Sequence, residues 1–452
     1  MMMVVTTGDS EALTALLISG GDARLALDPA TGLNKYYCPP RPDPEILCFS
    51  SCTASPITLE GMAAARAVWT RLRAAGAAPA EPEARQAVAA EIAARLSRLY
   101  GLEGLATVLL SPSGTDATLL LAGLLTAEQP GIPLCNIMVA AAETGAGVPL
   151  AAAGRNFSPT TADAPGPRFG EAVTGFPPGM VTIPIPLRRD DGTVRPADEV
   201  DADFAAAVAA APGRPVVHWM EGSKTGLRAP HQVPAGTEVV VDACQARLTP
   251  ERLTGYLRRG WPVLLTGSKF FGGPSFSGAV LFPQSRWAAL DLDALPAGLG
   301  TDHSGSHPAP AAGTLLRWAA ALDEMERFSA QTPAAVRSAM ARLSATLSDR
   351  IATTPGLVPA PPAPADDPLA WPETIHSFAV RDPADRSRLL TISELRGLYQ
   401  ALAGAGILVG QPVGIGAAFG GLRLAIGARN LRDDDPAASL DRLFTTLRRL
   451  IA

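Results

Sequence analysis

VVVDACQARLTPERLTGYLRRGWPVLLTGSK, Val239–Lys269, is the stretch that decides the fold. It opens on three valines and Asp242, and it closes on an apolar run, a Gly-Ser turn and Lys269. Short runs of β-branched and aliphatic residues bounded by small or polar residues read as buried strands. The segment between them, LTPERLTGYLRRG, carries a helical period. Strand, helix, strand makes one crossover unit, so the two strands run parallel. Asp242 and Lys269, 27 residues apart, then fall at the ends of two parallel strands on one edge. Ligands of open α/β sheets bind at that edge.

The pattern extends outward. ATVLLSPSGTDATLLLAGLL (106–125) reads as strand, turn and helix, and CNIMVAAAE (135–143) and RPVVHWMEG (214–222) read as further buried strands. Such runs, separated by helical segments, imply a mainly parallel sheet covered on both faces. A helical period runs from Leu59 to Leu99, and another long amphipathic stretch follows Gly313. TTPGLVPAPPAPADDPLAWP (353–372) reads as a surface excursion, followed by short strands and helices to the end. The expected chain is α/β. It has an N-terminal arm over 1–60, a three-layer α/β/α large domain with a mainly parallel sheet over 61–315, and an interdomain helix with a small C-terminal α+β domain over 316–452.

Composition bounds the function. The chain has 452 residues, 47% hydrophobic and 18% charged, enough for a large core. A net charge of -5 and no run of Lys or Arg longer than two argue against a nucleic-acid partner. Five cysteines at irregular spacing read as reduced thiols. No signal-peptide pattern opens the sequence, and no apolar run approaches the roughly 20 residues of a membrane span. The expectation is a cytoplasmic protein without a membrane partner.

A lysine at a strand end in apolar surroundings sheds its proton more readily than one in water. The neutral amine forms a Schiff base with an aldehyde. Pyridoxal 5′-phosphate is such an aldehyde. It needs an anion site, a carboxylate at its pyridine nitrogen and a group packed on its ring. SPSGTDA (111–117) offers the anion site: the N–H groups of Gly114 and Thr115 at a helix start, and the hydroxyls of Ser113 and Thr115. The same residues also read as an ordinary N-cap. Asp242 offers the carboxylate, or caps the segment after it, and Gln245 reaches a ring hydroxyl. No Cys/His cluster has metal-ligand spacing.

In this order the pieces resemble the fold-type-I pyridoxal-phosphate enzymes, and within them the class V group around cysteine desulfurases. That resemblance implies an aspartate aminotransferase-like fold. DACQ is similar to the family's D-x-x-Q element, and TGSKFFGGPSFSGAVLF (266–282) to its Schiff-base lysine segment, with Ser268 a further phosphate contact. GSKTG (222–226) is similar to a turn at the ring hydroxyl, which implies Ser223. AGTLLRWAAALDEM (312–325) resembles the segment whose Gly-Thr reaches a partner's phosphate, so Thr314 is expected to act across a homodimer with shared active sites. GLRLAIG (421–427) resembles the strand whose arginine grips the substrate carboxylate, which implies Arg423.

Two departures matter. The family's ring-stacking histidine falls at Thr144, after Glu143. The loop GTDHSGSHPAPAAGT (300–314) lacks the desulfurase cysteine, so a cysteine desulfurase itself is not expected. His303 and His307 in that loop read either as acid and base or as solvated side chains. Cys244 reads as packing. NKYYCPPRPDPEILCFSSCTAS (34–55) matches nothing in the family, and the substrate side chain is expected to be read there by Asn34, Tyr36 and Ser55. The resemblance implies an enzyme acting on a small-molecule α-amino acid through an external aldimine and a quinonoid. Cβ-elimination of the C–S lyase type leads. A pyridoxal-phosphate aminotransferase is second, and a non-catalytic cofactor-binding module third.

Overall fold

Side chains alternate between two cores along the central strands. Val241, Ala243, Val263, Leu265, Ala279 and Leu281 join one cluster; Val240, Cys244, Leu264, Val280 and Phe282 join another. A sheet buried on both faces must carry helices on both, which is the three-layer arrangement. The computed structural model describes residues 7–74, 82–158, 169–299, 310–360 and 371–452.

The large sheet is built from β2 (Ala106–Ser111), β3 (Leu134–Val139), β4 (Val181–Ile185), β5 (Arg214–Met220), β6 (Glu238–Ala243), β7 (Val263–Thr266) and β8 (Gly278–Pro283). Their order is β2-β8-β7-β6-β5-β3-β4. β8 is antiparallel to β7 and β2, and the other pairings are parallel. Helices Leu59–Ala74, Pro82–Tyr100 and Ala312–Ser329 contribute to one core, and helix Gly114–Glu128 to the other. The crossover read from Val239–Lys269 is present as β6, helix Pro250–Arg258 and β7, with Asp242 opposite Leu264. Thr249 starts that helix by accepting the Arg252 N–H, and Pro250 occupies its first turn.

The small sheet joins β1 (Leu47–Phe49), β9 (Leu357–Pro359), β10 (Ile375–Val380), β11 (Ile407–Gly414) and β12 (Gly420–Ala425) in the order β1-β11-β12-β10-β9. Its edges come from stretches that read as irregular in sequence. β1 lies inside the Pro-rich arm and pairs in parallel with β11; β9 lies in the supposed surface excursion. Three-residue strands are too short to show alternation. β4 also escaped the sequence reading, because Pro184 argues against a strand; it stands at the sheet edge, where proline is tolerated.

The first helix, Thr7–Leu17, and the residues after it pack on helix Ala312–Ser329 through a buried arginine. Arg317 donates to the carbonyls of Leu17, Ser19, Gly20 and Phe276 at 2.5–3.0 Å. Burial brings its guanidinium down to about 9. Arg317→Met would leave these carbonyls without their donor, at roughly 1–3 kcal/mol for each one that water cannot reach. We expect a loss of about 2–4 kcal/mol in unfolding free energy and faster proteolysis before residue 25. Unchanged melting and cleavage would show that the arm is held by something else.

Candidate active site

Period two along β6 turns Asp242 to the face of Val240 and Cys244, the face that helix Gly114–Glu128 covers. The first turn of that helix reaches the strand ends. A Cβ added to Gly114 would lie 2.8 Å from Cys244 Sγ and 3.2 Å from Thr266 Cγ2. Ser113–Thr115, Asp242 and the turn after β7 therefore meet at one edge. Ser268 is buried in that turn and Lys269 is half-buried. Asp242 is 8% exposed, and its Oδ1 accepts the Cys244 N–H at 3.0 Å. The next helix is capped by Thr249, so Asp242 has no capping duty there. Burial holds the Cys244 thiol well above its ordinary range.

The N-cap reading of SPSGTDA is realised in Ser113, whose Oγ accepts the N–H groups of Thr115 and Asp116 at 3.2 Å each. The same hydroxyl donates to Asp116 Oδ2 at 2.5 Å. The helix behind it is 15 residues long, so its positive end faces the strand edge. Burial raises the Asp116 carboxyl to about 6; Ser113 and Arg24 pull the other way, and Asp22 adds to the rise.

Arg24 also stands at this helix start, a placement that no local motif in the sequence marks. Its Nη2 stands 3.4 Å from Ser113 Oγ, its guanidinium lies 4.7 Å from the Phe276 ring centre, and it forks onto Asp22 at 2.7–2.9 Å. The Tyr36 phenol joins Arg24, and burial raises it. Of the other arm residues singled out, Asn34 turns its Oδ1 back to the N–H groups of Tyr36 and Cys38. Ser55 is buried, bridges to Pro274 and lies 3.9 Å from Cys48 Sγ.

A second knot forms around Glu143. Its carboxylate accepts from Ser223 Oγ at 2.7 Å and Thr225 Oγ1 at 2.8 Å, and pairs with Arg188 at 3.1 Å. The Ser223 hydroxyl, expected at a ring oxygen, is spent on Glu143. Thr144 is buried beside it. Gln245 Nε2 donates to the Cys52 carbonyl at 3.1 Å. Arg247, also missed, donates to the Ile426 carbonyl at 2.6 Å and to Ser51 Oγ at 2.9 Å; burial brings it down to about 10.

Arg423 is 2% exposed. Its Nη1 donates to the Lys224 carbonyl at 3.0 Å, its Nη2 to Thr53 Oγ1 at 3.0 Å and the Gln411 carbonyl at 2.8 Å, and its Nε to Gln411 at 3.2 Å. One Nη1 hydrogen remains. Thr314, expected to reach a partner, is fully buried in its own chain, with Oγ1 3.3 Å from the Gly20 carbonyl. His303 and His307 lie outside the described residues. His218 bonds Asn136 at 2.9 Å, and burial lowers it to about 4. Among the described residues no group of three His, Cys, Asp or Glu could hold a metal ion. No described helix is long and apolar enough to cross a membrane.

No family model and no curated protein matches the chain. Solved structures do. Two structures of C-DES, a cystine C–S lyase, match with TM-scores of 0.57 and 0.56 at 16% and 15% identity, covering 89% of this chain and 96% and 97% of theirs. One is a mutant with glycine covalently linked to the PLP cofactor; the other holds the product cysteine persulfide. The cysteine desulfurase CsdA from Escherichia coli matches with a TM-score of 0.55 at 14% identity over 90% of this chain and 94% of that one. Oryza sativa TDC with PLP matches with a TM-score of 0.53 at 15% identity over 86% and 81%. At these identities the likeness shows the fold: this chain has the α/β fold of those proteins, with its mostly parallel sheet.

Asp116 gives a pH test of the helix start. Its pKa of about 6 exceeds the ordinary 3.8, so the folded state holds the proton more tightly than the unfolded chain. The folded protein is therefore favoured by this group below about pH 4 and loses that advantage as pH rises through 6. Asp116→Asn should stabilise the protein at pH 8 by about 1–3 kcal/mol and by nothing near pH 4. Equal melting shifts at both pH values would mean that the carboxyl is not held this way.

Proposed function

We propose that this protein is an enzyme that binds pyridoxal 5′-phosphate on Lys269 and acts on an α-amino acid, with Cβ-elimination of the C–S lyase type as its reaction. The observation that carries the reading is the meeting of Asp242, Lys269 and the helix start Ser113–Thr115 at one sheet edge. The residues present fit the cofactor. Gly114 lets the helix start pack directly on Cys244 and Thr266, which brings its N–H groups to the strand edge. The hydroxyls of Ser275 and Ser277 are buried with no hydrogen-bond partner among the described residues. Ser277 Oγ lies 3.3 Å from where a Cβ on Gly267 would sit, beside the Ser268 turn. Ser113, Gly114, Thr115 and Ser268 would hold the phosphate, with Arg24 above Ser113.

When bound, the cofactor supplies an aldehyde that condenses with an amine and a ring that accepts the electron pair released at the substrate's α-carbon. Asp242, buried at its strand end, holds a proton on the ring nitrogen through its negative charge. Lys269 would supply the anchoring amine, and its side-chain amine, when free of the cofactor, would be the base that takes the α-proton. Arg423 offers its remaining Nη1 hydrogen to the α-carboxylate while its other N–H groups stay on Gln411, Thr53 and Lys224. The Glu143 knot fixes the loop that carries Thr144. The elimination reading is supported by the shared fold with a cystine C–S lyase. A homodimer and a cytoplasmic location belong to the same reading, and light scattering and cell fractionation test them.

Titrating the purified protein with pyridoxal phosphate should give a new visible absorbance band, and Lys269→Ala should abolish it. A wild type that stays colourless overturns the reading. With an amino-acid panel, pyruvate and ammonia report elimination, whereas an α-keto acid without ammonia reports transamination and replaces it. Asp242→Ala should retain cofactor but lose turnover by roughly a hundredfold or more, the usual scale for removing a preorganised charge. Wild-type turnover would reduce Asp242 to its bond with Cys244.

A further inference from the structure

Of the chain's 38 Lys and Arg residues, only Lys35, Lys224 and Lys269 are lysines. Two of these stand in Gly-Ser-Lys turns at carboxyl ends of strands of the large sheet, Gly222–Lys224 after β5 and Gly267–Lys269 after β7. Lys224 is locked in place by its backbone. Its N–H donates to the Glu143 carbonyl at 2.8 Å, and its carbonyl accepts Arg423 Nη1 at 3.0 Å. Among the described residues its ammonium makes one bond, to the Ala141 carbonyl at 2.8 Å on an exposed part of the loop. That leaves two ammonium hydrogens free.

The charges around Lys224 do not balance. Arg423 and Lys269 act on it as like charges, and Glu143 is the opposing one. Glu143 is already committed to Arg188, Ser223 and Thr225. Asp242 is assigned to the cofactor ring, and a substrate's α-carboxylate to Arg423. Lys224 then remains a cation beside Arg423 at the exposed loop around Ala141, and no described carboxylate pairs with it. We propose that Lys224 binds a second carboxylate on the substrate, so that the site takes an acidic amino acid; the inference rests on the reading of the site given above. A single positive charge matches a carboxylate and leaves a phosphate dianion half neutralised. Burial and then Arg423 bring the ammonium down to about 8, with Lys269 adding and Glu143 opposing. The pocket should therefore lose this contact as pH rises past 8.

Calorimetric titration of the protein as purified tests the pocket without turnover. Glutarate should bind about tenfold or more tightly than butyrate at pH 7, a difference of about 1.4 kcal/mol. Lys224→Met should erase the difference, Lys224→Arg should keep most of it, and at pH 9.5 the wild type should behave like Lys224→Met. Equal affinity for the two acids, or a preference that survives in Lys224→Met, overturns the proposal. Lys224-dependent binding of inorganic phosphate in place of glutarate also overturns it. Failure of the cofactor reading shows separately, as a missing visible band with pyridoxal phosphate.

Discussion

The parallel pairing of β6 with β7 is the constraint on which the rest depends. Its register sets Asp242 opposite Leu264, so Lys269 can only emerge at the same edge. Burial on both faces removes the freedom to slip. A one-residue shift of β6 would move Asp242 into the core of Val241 and Ala243, where an unpaired carboxylate is costly. The same alternation turns Asp242 toward the start of helix Gly114–Glu128. Gly114 completes the arrangement, because no larger residue lets that start approach Cys244 and Thr266.

Buried arginines do a second job, ordering an arm that has almost no sheet partners of its own. A Pro-rich segment exposes carbonyls that neither helix nor ladder satisfies, and buried carbonyls need donors. Arg317 serves Leu17, Ser19 and Gly20; the half-buried Arg429 serves Pro56; Arg247 and Arg423 reach Ser51 and Thr53. Each of the last two also bonds the small sheet or the residue after it, at Gln411 or Ile426. The arm thus sits between the two sheets, and residues 50–56 line their junction. A planar guanidinium with five donors suits this work better than an ammonium.

The sheet was legible because its strands are long enough to repeat. Val239–Lys269 carried its own topology, and the order of SPSGTDA, DACQ and GSK carried the edge. What was not legible was long-range. β1 and β9 are defined by partners rather than by period, and β1 pairs with a strand some 360 residues away. Arg24 belongs to the helix start only because Arg317 and Phe276 hold its segment there. Ser223 was placed by its motif, but the competing acceptor, Glu143, lies 80 residues earlier and took its hydroxyl. Side-chain partners of that kind leave no mark in local spacing.

The two ends of the site are built on different electrostatics. At the helix start the groups are dipoles and hydroxyls, and the cation that reaches Ser113, Arg24, is already forked onto Asp22. Asp116 there carries a proton below about pH 6, so it adds no fixed charge in that range. Such an end favours an anion only through many oriented donors at once, which suits a group that stays bound. At the other end Lys224 and Arg423 act on each other as like charges, and Lys224 lies at the exposed loop around Ala141. Full charges at a mouth attract anions over a longer range than dipoles do, and water can replace a departing ligand there. On the proposed reading, the division of labour follows: the dipolar end retains a cofactor, and the charged end admits and releases an acidic substrate.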